Sequence, residues 1–192
     1  DLPCIEPFNY SVQFVPAKKD VKIPLENLKV NRDFLNKLSE TEKANITIEV
    51  YEKEVAILNE TIAINIQPLE HFGGFQVLPE LIAAYVTPNH PYIYHIKRKA
   101  IEILEKQGLK TAFEGYQSND TERVLQIMSA IYSAIQSEEI IYSSLPPGYE
   151  EMGQRLRLLN TIQQEKFGNC IDISLLFAAC LEAVDLNPIL II

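Results

Sequence analysis

Cys170 is the residue whose position in the sequence is best suited to chemistry. It follows Gly168-Asn169, a pair that favours a turn, and precedes an apolar run over residues 171–181 whose spacing predicts a helix. We expect the helix to begin at Asn169 or Cys170, with the thiol in its first turn. A helix N-terminus carries the equivalent of roughly half a positive charge and has free N–H groups, which favour a thiolate and can hold an oxyanion. A cysteine nucleophile requires such a position.

A packing role is the alternative for this cysteine. Free cysteine is among the most buried residue types, and Cys180, on the same predicted helix, is best explained that way. Asp172 is expected to stabilise the helix N-terminus through the macrodipole. A carboxylate so near Cys170 would oppose thiolate formation unless it points away from the sulfur. Helix position alone therefore leaves both roles open.

Side-chain amides that precede Cys170 are candidates for an oxyanion hole, in which an amide would donate beside the Cys170 N–H. Gln154 is the first candidate, and Gln163 and Gln164 compete for the role. The alternative is that residues 154–157 cap a helix and that their arginines pair with the preceding glutamates.

A thiolate also needs a base within hydrogen-bond reach, usually a histidine that a third polar group orients. The three histidines, His71, His90 and His95, all precede Cys170. Each is more typical of a surface or helix-capping residue than of a base with the required geometry. Tyr142 is a candidate for lining a substrate groove, with an ordinary half-buried aromatic as the alternative.

Two stretches around the thiol resemble a known family. The first reads Gly168-x-Cys170-x-Asp172-x-Ser174-x-Leu176-Phe177 and continues with Leu181-Glu182-Ala183 and Leu186-Asn187-Pro188. The second spans residues 140–149 and continues with Gly153-Gln154-Arg155-Leu156-Arg157. Together they resemble the transglutaminase-like cysteine protease superfamily, in the version found in the N-terminal region of large bacterial helicase-related proteins. The resemblance covers about residues 78–192 and departs at Asp185, where the family usually has glycine.

This resemblance implies that Cys170 is the nucleophile at the start of the core helix. It also implies that the catalytic histidine and aspartate follow on later strands, beyond Ile192. We therefore expect residues 1–192 alone to be inactive, and the intact protein to act on the amide of a peptide or protein. We expect no cofactor and no metal site.

The composition restricts the kinds of molecule that this chain is expected to bind. The chain has 192 residues, of which 17 are basic and 26 acidic, for a net charge of −9. A nucleic-acid-binding surface needs a basic stripe, so we expect no direct nucleic-acid binding by this part. No apolar run approaches membrane-spanning length, and the three cysteines lack the CxxC pairs of a zinc site. We predict a cytoplasmic protein that does not contact membranes.

The period of the apolar residues predicts two domains and an α+β fold. Residues 1–72 are predicted to form a β-sandwich-like domain, because apolar residues alternate there with period 2. Residues 76–192 are predicted to be mostly helical, because the period becomes helical. The resemblance implies that they form the N-terminal helical portion of a transglutaminase-like (papain-like) core. The predicted strands are 8–14, 21–25, 45–51, 54–58, 61–66 and, buried, 188–192. The predicted helices are 78–86, 92–107, 123–137, 152–166 and the cysteine helix.

Two function hypotheses follow. The first is a thiol peptidase, amidase or acyltransferase that uses Cys170. The alternative is a non-catalytic interaction or scaffold module of a multidomain helicase-related protein, with the other domains of the parent as partners. A free-standing structural protein is a third and weaker interpretation. A histidine followed by an acidic residue after Ile192 would favour the enzyme.

Overall fold

The computed structural model describes residues 4–13, 20, 22–23, 28–74, 79–144 and 153–191. The described chain mixes helices and strands, so the predicted α+β class is confirmed at that level. Two compact units are present, Asp1–Leu69 and Glu70–Ile192. No helix among the described residues is long and apolar enough to span a bilayer.

The first unit is organised around a long two-stranded ribbon. The strands β1 (Glu42–Glu52) and β2 (Val55–Ile66) pair antiparallel. Lys53, at the turn between them, has a positive φ of 56°. A short helix, α1 (Arg32–Lys37), precedes the ribbon, and the Asn31 side chain caps it by accepting from the Phe34 N–H. The predicted hairpin is confirmed, with its turn one residue later than expected.

Two strand predictions in this unit are wrong. Residues 61–66 are not a separate strand, because β2 runs through Asn59 and Glu60, which pair with Glu49 and Ile48. Residues 8–13 form no strand, although their apolar residues alternate. Alternation produces a strand only where a neighbouring backbone supplies ladder hydrogen bonds, and the described part of this segment has none. Most of segment 21–25, and Phe14, lie outside the described residues.

The second unit is mostly helical. Its helices are α2 (Pro91–Lys106), α3 (Thr121–Gln136), α4 (Leu159–Glu165) and α5 (Cys170–Glu182), with 3-10 turns at Pro79–Tyr85 and Gly115–Ser118. Among the described residues of this unit, two short strand pairs join the helices: β3 (His71–Phe72) with β5 (Gln154–Arg155), antiparallel, and β4 (Ile141–Tyr142) with β6 (Phe167–Gly168), parallel.

The ends of α2 and α3 follow from their sequences. His90 precedes Pro91, and its ring Nδ1 accepts from the Tyr92 N–H at 3.1 Å. Asp120 caps α3 by accepting from the Glu122 N–H at 2.9 Å. Both arrangements satisfy N–H groups that a helix leaves without partners. The predicted ranges for these two helices agree with the structure to within two residues at each end.

The core of the second unit lies between α2, α3 and α5. Fully buried side chains from all three helices meet there, including Ile96, Leu104, Ile127, Ile131 and Leu176. A smaller apolar cluster joins β3 and the chain after β5 to α5 and consists of Phe72, Ile82, Leu156 and Leu175. This second cluster places the β5 segment against the cysteine helix.

Two predictions near the candidate site are corrected. The helix expected at 152–166 covers only Leu159–Glu165, because Gln154 and Arg155 pair with β3 instead. Gly153 permits this pairing: its φ is +74°, and a Cβ there would come within 2.5 Å of the Phe72 carbonyl oxygen. Residues 188–191 form no strand, and Ile189 and Ile191 are 85% and 94% exposed. An apolar run lacks the ladder that makes a buried strand unless another strand lies beside it.

Candidate active site

Cys170 is the first residue of α5, as the sequence predicts. Asn169 is the N-cap, and its Oδ1 accepts from the backbone N–H groups of Ile171 and Asp172 at 2.9 and 3.0 Å. In the reverse direction, the Asp172 carboxylate accepts a hydrogen bond from the Asn169 N–H at 3.0 Å. These reciprocal bonds form a capping box, which fixes the backbone on both sides of the cysteine.

The two cysteines of α5 lie in opposite environments. Cys170 is exposed and unpaired, whereas Cys180 is completely buried. Burial raises the pKa of the Cys180 thiol to about 12, because a thiolate would lose its hydration there. The packing role predicted for Cys180 is therefore confirmed. The packing alternative does not describe Cys170, whose side chain faces solvent.

The capping box leaves one N–H of the first turn available beside the sulfur. Ile171 and Asp172 donate to Asn169, and Ile173 donates to the Asn169 carbonyl. The Cys170 N–H makes no hydrogen bond to any acceptor in the described part of the chain. A backbone N–H adjacent to a nucleophile is the kind of donor that stabilises an oxyanion in acyl transfer.

Asp172 is turned away from solvent and held by Arg157. The carboxylate is completely buried and accepts from the Arg157 N–H at 2.9 Å and from its Nη1 at 3.0 Å. The Arg157 guanidinium also lies over the Phe167 ring, 4.5 Å from its centroid. A carboxylate paired with a cation opposes a nearby negative charge less than a free one does. The Asp172 carboxylate is therefore buried and paired with a cation, whereas the Cys170 side chain is exposed.

The structure shows other acidic partners for Arg155 and Arg157, and it does not test the predicted pairing with Glu150 or Glu151. Arg155 forms an ion pair with Glu70 at 2.6 Å, and Arg157 pairs with Asp172 and, at 3.7 Å, with Glu165. Glu150 and Glu151 lie outside the described residues. The role of Arg157 at the thiol was missed, because fifteen residues separate it from Asp172 and the sequence carries no periodic signal across that gap.

The backbone leading into Cys170 is held by β4. Tyr142 is the register partner of Gly168, and the Ser143 N–H donates to the Gly168 carbonyl at 2.9 Å. A Cβ on Gly168 would lie 3.4 Å from the Asp172 Cβ, so glycine fits the close approach of β6 to α5. Tyr142 is 58% exposed, and its register partner Gly168 lies two residues before Cys170 in the sequence. This position suits a groove-lining residue.

Glu138, a buried acid, holds the start of the segment that connects α4 to α5, which we call the cysteine loop (residues 166–169). Lys166, the left-handed residue that ends α4, forms an ion pair with Glu138 at 2.5 Å. Glu138 also pairs with Lys99 at 2.6 Å, with the His95 ring at 3.0 Å and with the Tyr92 hydroxyl at 3.1 Å. Burial alone would raise the pKa of the Glu138 carboxyl, but Lys166 and Lys99 lower it to about 2. This network connects α2, the end of α3 and the cysteine loop.

Of the three candidate glutamines, only Gln154 is buried. It is 8% exposed, and neither atom of its amide has a hydrogen-bond partner among the described residues. Gln163 and Gln164 are exposed on α4. No hydrogen bond joins the Gln154 amide to Cys170, although β5 and α5 share the Leu156 and Leu175 cluster. A buried amide without partners is costly, so its position calls for a physical explanation.

None of the three histidines is bonded to Cys170. His90 caps α2, His95 contacts Glu138, and His71 lies in β3 opposite Arg155. Among the described residues, no group of three or more His, Cys, Asp or Glu side chains is arranged to hold a metal ion.

Comparison with known proteins yields no relative. No protein-family model matches the chain, and neither a curated protein nor a solved structure matches it. The resemblance visible in the sequence therefore remains a prediction.

Proposed function

We propose that this chain carries the nucleophile-bearing part of a transglutaminase-like thiol enzyme, a peptidase, amidase or acyltransferase that acts on an amide of a peptide or protein. The observation that carries the proposal is the exposed, unpaired thiol of Cys170 at the first position of a capped helix. Structural cysteines are usually buried and inert, whereas reactive ones are accessible and lie at such termini.

The proposed reaction is nucleophilic acyl transfer. The Cys170 sulfur attacks the amide carbonyl carbon, and the Cys170 N–H donates to the oxygen that becomes negatively charged. The leaving amine takes a proton, and water or a second amine then releases the acyl group from sulfur. Gln154 is the proposed second donor, because its amide is buried and has no other partner among the described residues.

The proton acceptor in this proposal is a histidine that follows the cysteine helix in a longer parent, together with an acidic residue that orients it, as the resemblance implies. The parent is a cytoplasmic, helicase-related protein. His71, His90 and His95 each have another position or partner in the fold, which supports a base from outside this set.

The test compares the alkylation of residues 1–192 with that of the parent chain extended past residue 192. Iodoacetamide rates at pH 7 are followed by mass spectrometry for both chains and for their Cys170→Ser variants, which subtract Cys4 and Cys180. We expect Cys170 to react slowly in residues 1–192 and at least about tenfold faster in the extended chain, because a neighbouring imidazolium favours the thiolate. Equal rates in the two chains would contradict catalysis.

A non-catalytic module is the second candidate, and the ribbon favours it. One face of β1 and β2 carries Ile46, Ile48, Val50, Leu58 and Ile62, of which the last four are at least 40% exposed. An exposed apolar sheet face is a common feature of interaction surfaces. In this alternative the face binds another domain of the same parent. This alternative would be supported if Cys170 is alkylated equally fast in residues 1–192 and in the parent, while solvent probes label the ribbon less in the parent.

A further inference from the structure

Arg157 contacts residues on both sides of the candidate nucleophile in the sequence. Its guanidinium Nη1 donates to Asp172 Oδ2 at 3.0 Å, and its backbone N–H donates to Asp172 Oδ1 at 2.9 Å. The guanidinium also lies over the Phe167 ring, 4.5 Å from the ring centroid. Phe167 lies three residues before Cys170, and Asp172 lies two residues after it. One side chain therefore holds both the strand that leads to the thiol and the first turn of the helix that begins with it.

The bonds of Asp172 extend this contact to the peptide unit of the Cys170 N–H. The Oδ2 atom that accepts from Arg157 also accepts from the Asn169 N–H at 3.0 Å. The Asn169 carbonyl, which shares a peptide plane with the Cys170 N–H, accepts from the Ile173 N–H at 3.1 Å. Hydrogen bonds thus hold both peptide units of Asn169, and one of these bonds uses the carboxylate that Arg157 holds. The direction of the Cys170 N–H depends on Arg157 through Asp172.

The charge of Arg157 is needed in this arrangement because the Asp172 carboxylate is completely buried. In the described part of the chain, no other cation forms an ion pair with Asp172. Removing one partner of a buried ion pair is strongly destabilising, because the other charge remains without compensation. The carboxylate would then turn towards water or take up a proton. Either change weakens the charge-assisted bond that it accepts from the Asn169 N–H.

The segment that carries Gln154 is attached to α5 at the same place. Leu156 is completely buried in the apolar cluster that contains Leu175 of α5, and the next residue, Arg157, bonds to Asp172. Gln154, the proposed second donor to the oxyanion, lies three residues before Arg157. The bonds of Arg157 therefore fix this segment relative to the start of α5.

We infer that Arg157 is a positioning residue for the proposed acyl transfer and acts through Asp172 and Asn169 to direct the Cys170 N–H at the oxyanion. This inference rests on the proposed function, because the direction of that N–H matters only when the sulfur attacks an acyl carbon. Arginine suits the role because its planar guanidinium bonds to a carboxylate and stacks on an aromatic ring at the same time.

The test compares two reactions of Cys170, of which only one forms an oxyanion. With p-nitrophenyl acetate the sulfur bonds to the ester carbonyl carbon through a tetrahedral oxyanion, p-nitrophenolate leaves, and the thiol proton passes to water. With iodoacetamide the sulfur displaces iodide from a methylene carbon, and no oxyanion forms. The ratio of the two rates cancels changes in the thiolate fraction and reports the oxyanion donor. Both rates are measured at pH 7 by mass spectrometry of residues 1–192, with Cys170→Ser as the background.

We expect Arg157→Gln to lower the ratio of acetylation to alkylation by about three- to tenfold. This effect is smaller than the loss of about a hundredfold or more that follows deletion of an oxyanion donor in an enzyme, because the N–H is misdirected and not removed. Arg155→Gln is the matched control. Arg155 lies two residues away and pairs with Glu70, so this variant should leave the ratio unchanged.

Asp172→Asn tests whether Arg157 acts through the carboxylate. The variant should lower the ratio by a similar factor, and adding Arg157→Gln to it should lower the ratio no further, because changes that break one set of bonds are not additive. If Arg157→Gln fails to fold, Arg157→Lys replaces it and should lower the ratio by at least about twofold, since lysine lacks the planar fork. A ratio that these variants leave unchanged, or effects that multiply in the double variant, would overturn the inference.

The result is separable from the test of the proposed function. An unchanged ratio in the Arg157 variants, together with faster alkylation of the extended parent chain, would overturn the positioning role and leave the proposed function standing. A lowered ratio together with equal alkylation rates in the two chains would support the role of Arg157 in directing the N–H and contradict catalysis.

Discussion

The ribbon of the first unit and the helical core of the second bury their apolar residues very differently. Neither β1 nor β2 has a buried residue, although isoleucine, valine and leucine recur along both. In α2, α3 and α5 many residues of the same types are buried, and Ile96, Ile131 and Leu176 are completely so. The ribbon is held by its ladder and its turn, the helices by packing. A two-stranded hairpin alone is marginal in water, whereas packed helices gain from every apolar contact. Hydrophobic content therefore does not predict where stability lies.

The largest expected effect is the difference in the free energy of unfolding that is lost when one isoleucine is truncated in each region. Ile131→Ala removes a completely buried side chain, and we expect a loss of about 3–4 kcal/mol in the free energy of unfolding, because a cavity remains. Ile57→Ala changes a side chain that is 61% exposed and should cost less than about 0.5 kcal/mol. Urea denaturation followed by circular dichroism measures both. Equal losses would show that the ribbon around Ile57 is covered in solution.

Asp172→Asn should give the next largest effect. The variant keeps the shape of the capping residue but leaves the Arg157 guanidinium without its buried partner. We expect a loss of about 2–3 kcal/mol, less than for a fully buried pair because Arg157 is partly exposed. Differential scanning calorimetry is the measurement, and Glu165→Gln, which affects only the longer contact of Arg157, is the control. A loss as small as that of the control would show that the capping box does not need the charge.

The lowered pKa of Glu138 predicts that the free energy of unfolding of the second unit depends on pH. Its folded-state pKa, about 2, lies below the ordinary value of 4.5, so its ion pairs stabilise the fold above about pH 4.5. That contribution, on the order of 2 kcal/mol, should decline as the pH falls from 4.5 towards 2. The difference in unfolding free energy between the parent and Glu138→Gln should therefore be constant near pH 6 and shrink on acidification. A difference that grows in acid would contradict the assignment.

A cross-strand pair on the polar face of the ribbon should give the smallest effect. The hydroxyls of Thr47 and Thr61 lie 3.2 Å apart in a hydrogen bond exposed to solvent. Thr61→Ala should cost about 0.2–0.8 kcal/mol, in line with other cross-strand pairs. Amide hydrogen exchange of β1 and β2 is the measurement, because such a change alters local opening more visibly than global unfolding. No change in exchange would mean that the pair contributes nothing.

The sequence was most informative where the determinants were local. The cap of α5, the His90 and Asp120 caps and the ribbon turn depend on residues within a few positions of one another, and periodicity located the helices they begin. The short strands around Gly153 and Gly168 were missed because two residues show no period. The Arg157–Asp172 pair and the Glu138 network were missed for a different reason. Their members are far apart in sequence, and only packing brings them together.

The difference between the cysteines has a practical consequence for labelling. Cys4 and Cys180 are buried, so a maleimide added to the folded chain should attach a dye at Cys170 alone. A fluorophore on that sulfur would report local polarity and rotational freedom at the start of α5 without any engineered cysteine. The same asymmetry governs storage in air. Cys170 and Cys180 lie about 15 Å apart along one helix, since each residue adds about 1.5 Å, so oxidation would join two molecules through Cys170.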